Sequence, residues 1–525
     1  MKNIISIHAG TENLTEKIQE ILSGLNPLEE NIIEFEKGTY YFYRKGSRLH
    51  RIFASSTTSG ENHVIFPIIG QKNLTIDGGG SDFVFCDRVQ PFMVQDSENI
   101  TFQNFQTDFS FLRYAYGTVT HTDDEGFTVA IDPAKFNYYV EDGYLHFVCG
   151  EDILSTRNRK ISMKRIEPTK SGVFFLYGIG TQATINPAAP TVMTYARACS
   201  DGVRFDYETG TNHVSFEIGD VICLAYDNDR EAQTFFSENS QNICVENVTI
   251  HRGGGMGFVA DVCENISLDH FKIQLKDGRS EYYTTTADGV FLTNCSGRFT
   301  MKHSLIRDTY DDAMNIHGFY LTVSRVISDT EAELVHLHPA HGGLVPCKSQ
   351  DVVRVSRRED FMDIGELKIV DVSANPDRTL IHITHDGSLA LVAGMLIESA
   401  ARMPEVWIEN NTFANSPHIR LSAGKMMIRN NHFSLKNCDL YIWDLFDFWA
   451  EHGATEEVQI IGNRFDGTSD HHIMVGSCRP LTSNHLHKSL VIQNNVFAFG
   501  RARALQISAV DHLQEEGNVF TGDMS

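Results

Sequence analysis

The sequence predicts an all-β protein, a parallel β-helix (solenoid) with two small inserted β-barrel-like domains. Three observations support this class. Short strand-like runs punctuated by Asn and Gly dominate the 525 residues, whereas helical periodicity is scarce. One Asn-containing phrase recurs in the C-terminal part every 20 to 32 residues, a spacing that is typical of stacked structural repeats. Two long stretches interrupt this rhythm and therefore indicate insertions into the solenoid.

The first predicted element is a short helix over residues 12–24, where apolar side chains from Leu14 to Leu25 recur close to a 3.6-residue period. The first coils of the solenoid follow it, beginning with Asn-Leu-Thr-Ile-Asp-Gly at residues 73–78. Similar strand-like phrases begin at Asn99, Asn242 and Asn265.

The C-terminal repeats combine β-branched strand residues with an Asn and a Phe that follows two residues later. The repeated Asn residues are Asn411, Asn431, Asn463, Asn495 and Asn518. Because Asn tolerates left-handed backbone angles at a tight bend, we expect each one to occupy such a bend and to bond the neighbouring coil. We expect the Phe residues to stack inside. A β-sandwich with coincidental turns is the alternative.

The interruptions of the repeat set the predicted domain boundaries. The β-helix is expected to comprise residues 1–112, 236–318 and 401–525, with the inserted barrels at 113–235 and 319–400. Both inserted stretches contain alternating apolar and polar residues that are typical of strands. Insertions into a solenoid tend to decorate its binding face, so the segment between them is the place to search for a site.

Composition excludes several classes of function. Hydrophobic residues make up 42% and charged residues 21%, which is an ordinary globular composition. The 68 acidic residues outnumber the 44 basic ones, and a net charge of −24 disfavours a nucleic-acid partner. The chain lacks a run of about 18 apolar residues, so no membrane-spanning helix is expected. The ten Cys residues form no CxxC pair, which argues against a zinc site or a disulfide scaffold; we expect no cofactor or metal.

The apolar run after Met1 is too short for a signal peptide. We therefore expect a cytoplasmic protein with free thiols. A secreted or periplasmic location is the alternative if a signal peptide has been removed.

Aligning the coils between the two insertions brings acidic residues together. If Cys263 and Cys295 occupy equivalent positions in successive coils, Met256 and Asp288 do so as well. Asp288 then lies one coil before Asp312. Neighbouring strands lie about 4.8 Å apart, so this register crowds several polar residues within three coils. They are Asp261, Asp288, Asp311, Asp312, Asn315 and His317. Asp residues in solenoids often bond their own backbone at turns, and that is the alternative role for each of them.

Carboxylates held this close raise the pKa of one another, so a cluster of them indicates chemistry rather than stability. The sequence shows no Ser-His, Cys-His or metal-spaced His arrangement. A set of carboxyl groups alone suggests glycoside hydrolysis, in which one acid protonates the leaving oxygen and a second carboxylate attacks or activates water.

The residues of this cluster carry a resemblance to a known family. Asp-Asp-Ala-Met-Asn-Ile-His-Gly at 311–318, Ala-Asp-Gly at 287–289 and Asn-Cys-Ser-Gly at 294–297 resemble the core motif of the family 110 glycoside hydrolases. Those enzymes are exo-acting α-1,3-galactosidases of the blood-group B type. Further similar phrases lie at residues 38–42, 73–78, 449–453 and 501–503. The resemblance implies a right-handed β-helix with inserted barrels and inversion at the anomeric centre.

The resemblance makes Asp311 and Asp312 the expected water-activating pair. The general acid is left open between Asp288, Asp261 and a Glu of a neighbouring coil. The expected substrate-binding residues are Asp261, Asn315, His317, Arg420, Trp449, Glu451 and Arg501. Aromatic rings suit the apolar face of galactose, although Trp443 and Trp449 could instead belong to the solenoid core. The two arginines could instead bond the turns of the coils.

The expected function is therefore removal of terminal α-1,3-linked galactose from an oligosaccharide or glycoconjugate glycan, with inversion. Another β-helix carbohydrate enzyme, either a polygalacturonase-like hydrolase or a lyase, is one alternative, although an acidic site would repel uronic acids. A non-catalytic sugar-binding solenoid is the other, but it would not need crowded carboxylates. The assembly state, a monomer or a homodimer, is left open by the sequence.

Overall fold

The protein is a parallel β-helix in the computed structural model, and the predicted fold class is confirmed. The structure describes residues 2–521 apart from positions 11, 58–59, 158–160, 167–172, 179–190, 209–215, 226–229, 231, 360, 444–448, 453, 469–470 and 478–485. Gly453 and Cys478 therefore lie outside the described residues, and the other nine cysteines are free thiols.

Two long sheets form the walls of the solenoid. Sheet A has 20 strands that pair in parallel from coil to coil. Its strands are Lys2–Ile7, Glu30–Phe35, Thr39–Phe42, Lys72–Phe85, Glu98–Phe109, Gln241–Ile250, Glu264–Asp269, Lys272–Ile273, Ser296–Lys302, Leu305–Arg307, Glu405–Glu409, Thr412–Ala414, Lys425–Arg429, His432–Ser434, Thr455–Ile461, Arg464–Phe465, His487–Gln493, Val496–Phe497, Val510–Glu516 and Val519–Phe520.

Sheet B has 12 strands and forms the opposite wall. Its strands are Arg48–Ile52, Gly60–Ile69, Gln90–Gln95, Phe235–Glu238, Phe258–Asp261, Val290–Thr293, Met314–Phe319, His418–Leu421, Cys438–Trp443, Glu451–His452, His471–Gly476 and Leu505–Ile507. One continuous apolar core, running from Ile7 to Leu505, fills the space between the two sheets.

Helix is scarce, as predicted. The first helix runs from Thr15 to Gly24, three residues inside the predicted start, and Ile18 and Leu22 are buried on the end of the solenoid core. A short helix at Arg501–Ala504 and a 3₁₀ turn at Pro339–His341 complete the set in the described residues. Neither helix in this part of the chain is long and apolar enough to cross a bilayer.

The repeated Asn residues form a buried ladder along the C-terminal coils. In each rung the carboxamide oxygen accepts the backbone N–H and the Nδ2 of the Asn one coil before; for Asn463 these distances from Asn431 are 2.9 and 3.0 Å. The expected bonding between coils is therefore confirmed. The left-handed angle belongs to the preceding residue instead, as at Asn430 and Asn494, where φ is +55°. The ladder Asn is thus free to point inward.

The Phe two residues after each ladder Asn is stacked in the core, as predicted. Rings of successive coils, from Phe413 to Phe520, lie nearly parallel with centroids 4.9 to 5.4 Å apart. The hydrogen-bonded Asn ladder and the aromatic stack run side by side, so each coil is held in register by polar and apolar contacts together.

Two closed barrels interrupt the solenoid, and each has its own apolar core. The strands of the first barrel are Ala115–Asp123, Gly126–Ile131, Ile161–Arg165, Val173–Gly178, Thr191–Cys199, Gly202–Tyr207 and Val221–Ala225, and a small sheet beside it has Tyr138–Glu141, Tyr144–Cys149 and Asp152–Ser155. The strands of the second are Leu321–Ser328, Glu331–His336, Val352–Ser356, Asp363–Ala374, Leu380–His385 and Leu396–Ser399. Both sets lie within the stretches predicted as insertions, 113–235 and 319–400.

The ladder generates a stability prediction. Asn463→Ala should destabilise the protein by about 2–5 kcal/mol, because the Asn431 amides and the Ile428 carbonyl would lose buried hydrogen-bond partners at about 1–3 kcal/mol each. Urea unfolding measures the effect. Asn494→Gly is the control, because Asn494 is exposed and has a left-handed backbone conformation. Gly462 and Gly517 occupy the same position in other coils, so the urea midpoint of this variant should barely change. Equal shifts in both variants would contradict the ladder's role.

Candidate active site

The site is built on the register between two coils. Val290 pairs with Met314 in parallel, so Asp288 and Asp312 occupy equivalent positions two residues before these strands. The same pairing places Thr293 beside His317, as the sequence alignment of the coils predicted. In this geometry the two aspartate backbones are about 4.8 Å apart.

Asp312 is a buried carboxylate that contacts two side chains of the following coil. Its Oδ1 lies 2.9 Å from His418 Nε2, and its Oδ2 lies 3.2 Å from Arg420 Nε. Burial alone would raise the pKa of Asp312, but His418 and Arg420 outweigh burial and hold that pKa below its usual range. These two contacts therefore favour the ionised form of Asp312.

Asp288 is equally buried but has a different environment. Burial raises the pKa of Asp288 well above its usual range, and the neighbouring charges of Asp311 and Asp312 raise it further. The cations Arg230 and Arg420 offset only part of this effect. Two equivalent residues on adjacent coils are thereby driven toward opposite protonation states.

Asp311 is the accessible member of the cluster. Its side chain is 43% exposed, compared with 6% for Asp312, and its Oδ2 lies 2.8 Å from Arg230 Nη2. Arg230 follows the last strand of the first barrel, so the first insertion supplies the cation at the edge of the site. The adjacent Asp311 and Asp312 lie in the bend before the strand Met314–Phe319. Consecutive residues of a flat strand face opposite ways, whereas in a bend both side chains can face one site.

A row of side chains on the outer face of sheet B extends the site. Asn315, Arg420 and Tyr441 are register partners on successive coils. The Arg420 guanidinium lies 5.2 Å from the centre of the Tyr441 ring, and that ring stacks on Trp443 with centroids 5.8 Å apart. The Oδ1 of Asn315 is buried without a hydrogen-bond partner among the described residues, an arrangement that a sugar hydroxyl would satisfy.

Glu451 and His317 form the next part of this face. Glu451 is buried where its strand pairs antiparallel with Phe319, and its Oε1 lies 3.6 Å from His317 Nε2. Burial lowers the pKa of Arg420, but the negative charges of Asp312 and then of Glu451 help to outweigh burial and raise that pKa. Glu451 is therefore brought near the Asp312 and Arg420 pair.

Trp449 joins the second insertion to this face. Its carbonyl accepts a hydrogen bond from His341 Nε2 at 2.8 Å, and its ring lies 4.8 Å from that of His338. The ring is only partly buried, so one part of it remains open to solvent. The structure thus places Trp449 at the boundary between the second insertion and the outer face of sheet B.

The structure does not bring Asp261 to the carboxylate cluster. Asp261 ends its strand, whereas Asp288 and Asp312 precede theirs, and it is fully buried. Its carboxyl group accepts hydrogen bonds from the Ser55 N–H at 2.9 Å and from the Ser55 hydroxyl at 2.6 Å. Asp261 therefore anchors the segment that covers sheet B, a structural role in place of the predicted sugar contact.

Arg501 is also remote from the cluster. It lies four coils beyond Asp312 along sheet B, which corresponds to about 19 Å at 4.8 Å per coil. Its guanidinium is mostly exposed and pairs with Glu515. The predicted sugar contact is therefore replaced by an ion pair at the end of the solenoid.

Three residues of the site were missed by sequence reasoning: His418, Tyr441 and Arg230. His418 precedes Arg420 by two residues, and residues i and i+2 of a strand share a face, so the position of Arg420 could have indicated it. Arg230 lies in an irregular stretch after the first barrel and carries no local pattern.

The chain is similar in sequence to known proteins. No family model matches the chain. The chain is 26% identical over 489 residues to alpha-1,3-galactosidase B of Phocaeicola vulgatus, covering 89% of this chain and 78% of that protein. It is 26% identical over 487 residues to alpha-1,3-galactosidase A of Shewanella woodyi, covering 90% and 78%. The resemblance noted in the sequence is therefore confirmed along most of the chain.

Solved structures match the chain only at low similarity. A polygalacturonase from Erwinia carotovora is 8% identical with a TM-score of 0.41, covering 98% of this chain and 92% of that chain. The strand pairings of the protein itself therefore define its fold.

Asp261 generates a pH-dependent prediction. Burial raises its pKa to about 7, whereas an unfolded Asp titrates near 3.9. Between these values the unfolded chain releases a proton that the folded chain retains, so rising pH favours unfolding. The melting temperature of the wild type, relative to Asp261→Asn, should fall from about pH 4 to about pH 7 and then level off. A difference that stays constant across this range would contradict the assignment.

Proposed function

We propose that the protein is an exo-acting glycoside hydrolase that removes terminal α-1,3-linked galactose from oligosaccharides, with inversion of the anomeric centre. The observation that carries the proposal is a set of three carboxyl groups, Asp288, Asp311 and Asp312, held in three different electrostatic environments within two coils. Curated relatives that bear the name alpha-1,3-galactosidase supply the substrate class.

Asp312 suits the role of the base. His418 and Arg420 keep it ionised, and an ionised carboxylate can accept a proton from water as that water attacks the anomeric carbon. Asp288 lies beside it on the preceding coil and favours its protonated form. The two carboxyl groups together can fix one water molecule, with Asp288 donating a hydrogen bond and Asp312 accepting one.

The spacing of the coils supports Asp312 as the base and Asp288 as its partner in holding the water. An inverting enzyme separates its acid from its base by about 6.5–9.5 Å so that a water fits between the base and the sugar. Asp288 and Asp312, one coil apart, are close enough to act on the same side of the sugar rather than on opposite sides. The sequence had instead suggested Asp311 and Asp312 as the water-holding pair.

Asp311 is then the best candidate for the general acid. It is the most exposed of the three, and in an exo-acting enzyme the leaving part of the glycan extends toward solvent. A carboxyl group at this edge can reach the glycosidic oxygen, while the water attacks from the enclosed side. The contact with Arg230 must loosen when Asp311 takes up the proton that it delivers, so Arg230 is part of the same machinery.

The remaining groups suit a neutral sugar. Asn315, Arg420 and Glu451 offer donors and acceptors for hydroxyl groups, and the ring of Tyr441 or Trp443 can cover the apolar C–H face of galactose. The cations Arg230 and Arg420 already face carboxylates, so they are not available as dedicated partners for a uronic acid. This balance favours a neutral substrate over a polygalacturonate.

The first functional prediction separates the acid from the base. Asp311→Asn should lower kcat/KM on an α-1,3-linked galactose disaccharide by about 10²–10⁴-fold, the usual contribution of a general acid. The loss should be much smaller on a dinitrophenyl α-galactoside, whose leaving group needs no proton. Asp312→Asn should lose activity on both substrates, because neither reaction proceeds without an activated water.

Asp308→Asn is the matched control for these variants. Asp308 lies on the same turn but outside the cluster, and its left-handed φ of +59° suits Asn. This variant should keep wild-type rates on both substrates, and all variants should melt within a few degrees of the wild type. If Asp288→Asn rather than Asp311→Asn retains activity on the dinitrophenyl substrate, Asp288 is the acid and the division proposed above is wrong.

The second functional prediction is stereochemical. A single displacement by water inverts the anomer, so the α-galactoside should release β-galactose first. Proton NMR of the anomeric signals in the first minutes, before mutarotation, measures this. Initial release of α-galactose would indicate a covalent intermediate and would require an acid and a nucleophile only about 5–5.5 Å apart.

A further inference from the structure

A second polar cluster lies on sheet A, far from the carboxylates. Residues with a left-handed backbone occupy equivalent positions in successive coils of sheet A, with φ between +49° and +58°. In register they are Asn247, His270, His303, Asn410 and Asn430. Asn is the residue that this conformation usually selects. Since Asn serves in the coils on both sides, the backbone does not require histidine at the two central positions.

The two imidazoles converge on one carboxylate. The Nδ1 atoms of His270 and His303 lie 2.9 and 3.0 Å from the same Oδ1 of Asp269, and the two ring centroids are 5.0 Å apart. One ligand atom from each of the three residues lies within 4.8 Å of the other two. The side chains are 57%, 47% and 39% exposed for His270, His303 and Asp269, so an ion can reach them from solvent.

The charged residues around Asp269 allow its carboxylate to attract a cation. Lys302 is the register partner of Asp269, but its ammonium lies 3.1 Å from Glu409 of the next coil. The charge of Asp269 is therefore faced by the two imidazoles. A neutral imidazole nitrogen is a metal ligand, and two of them beside a carboxylate form a set that attracts a divalent cation.

We propose that Asp269, His270 and His303 bind Zn²⁺ on the outer edge of sheet A, with water completing the coordination. Zinc accepts imidazole nitrogen and carboxylate oxygen at about 2.0–2.2 Å, and in a tetrahedral arrangement these ligand atoms lie about 3.3 Å apart. The distances of 2.9 and 3.0 Å from Asp269 Oδ1 to the two imidazole Nδ1 atoms are close to that spacing. Ca²⁺ and Mg²⁺ prefer oxygen ligands and should bind weakly.

Such an ion would link two coils. His270 follows the strand Glu264–Asp269 and His303 follows Ser296–Lys302, so one metal would tie together segments that otherwise pair through the sheet. The site lies across the apolar core from the outer face of sheet B, where the carboxylate cluster is. It is therefore independent of the proposed glycosidase activity and would stabilise the middle of the solenoid.

Calorimetric titration of untagged, chelator-treated protein with ZnCl₂ at pH 7.5 tests the proposal. The wild type should bind one equivalent with micromolar or tighter affinity, and His270→Asn, His303→Asn and Asp269→Asn should each weaken binding at least tenfold. The two His variants restore the residue used in neighbouring coils, so they should keep the fold. His512→Asn, an exposed histidine on the same sheet, is the control and should bind like the wild type.

Three further readouts accompany the titration. ZnCl₂ should raise the melting temperature of the wild type but not of His303→Asn. Binding should weaken at pH 5.5, where protons compete for the imidazoles. MgCl₂ should give no comparable heat. The proposal is overturned if the wild type shows no saturable zinc binding, or if the three site variants bind zinc as tightly as His512→Asn.

Discussion

In-register stacking of the coils is the constraint on which the rest of the structure depends. Strands of successive coils lie about 4.8 Å apart, and the buried ladder from Asn411 to Asn518 fixes their alignment through amide hydrogen bonds. Slippage by one residue would leave these groups unpaired in the core, at about 1–3 kcal/mol for each. The in-register pairing of strands, which also holds the earlier coils together, makes residues distant in sequence neighbours, and both polar clusters of the protein are built from such neighbours.

Chemically identical side chains acquire different properties because the coils fix what surrounds them. Asp288 and Asp312 are equivalent in the repeat, yet only Asp312 faces His418 and Arg420 from the following coil. Burial penalises both charges, and the cations compensate mainly one of them. A rigid solenoid is suited to this arrangement, since the carboxyl groups cannot move apart to relieve their repulsion.

The insertions contribute to the site without forming part of the repeat. Each barrel has an apolar core separate from that of the solenoid. The first places Arg230 beside Asp311, and the second places the 3₁₀ turn Pro339–His341 against Trp449. The solenoid thus holds the carboxyl groups and the row Asn315, Arg420 and Tyr441, while the insertions supply groups at the edge of the site.

The sequence by itself determined the β-helix, its two interruptions and the approximate alignment of Asp288 with Asp312. These features depend on local signals: strand patterns, an Asn at each coil and a Phe two residues later. Only the tertiary structure decided which carboxyl groups face cations and which polar residues are enclosed. Arg230 and Asp311 are 81 residues apart, and Ser55 and Asp261 are 206 residues apart. Neither contact leaves a periodic pattern, because each joins an irregular segment to a coil through folding of the whole chain.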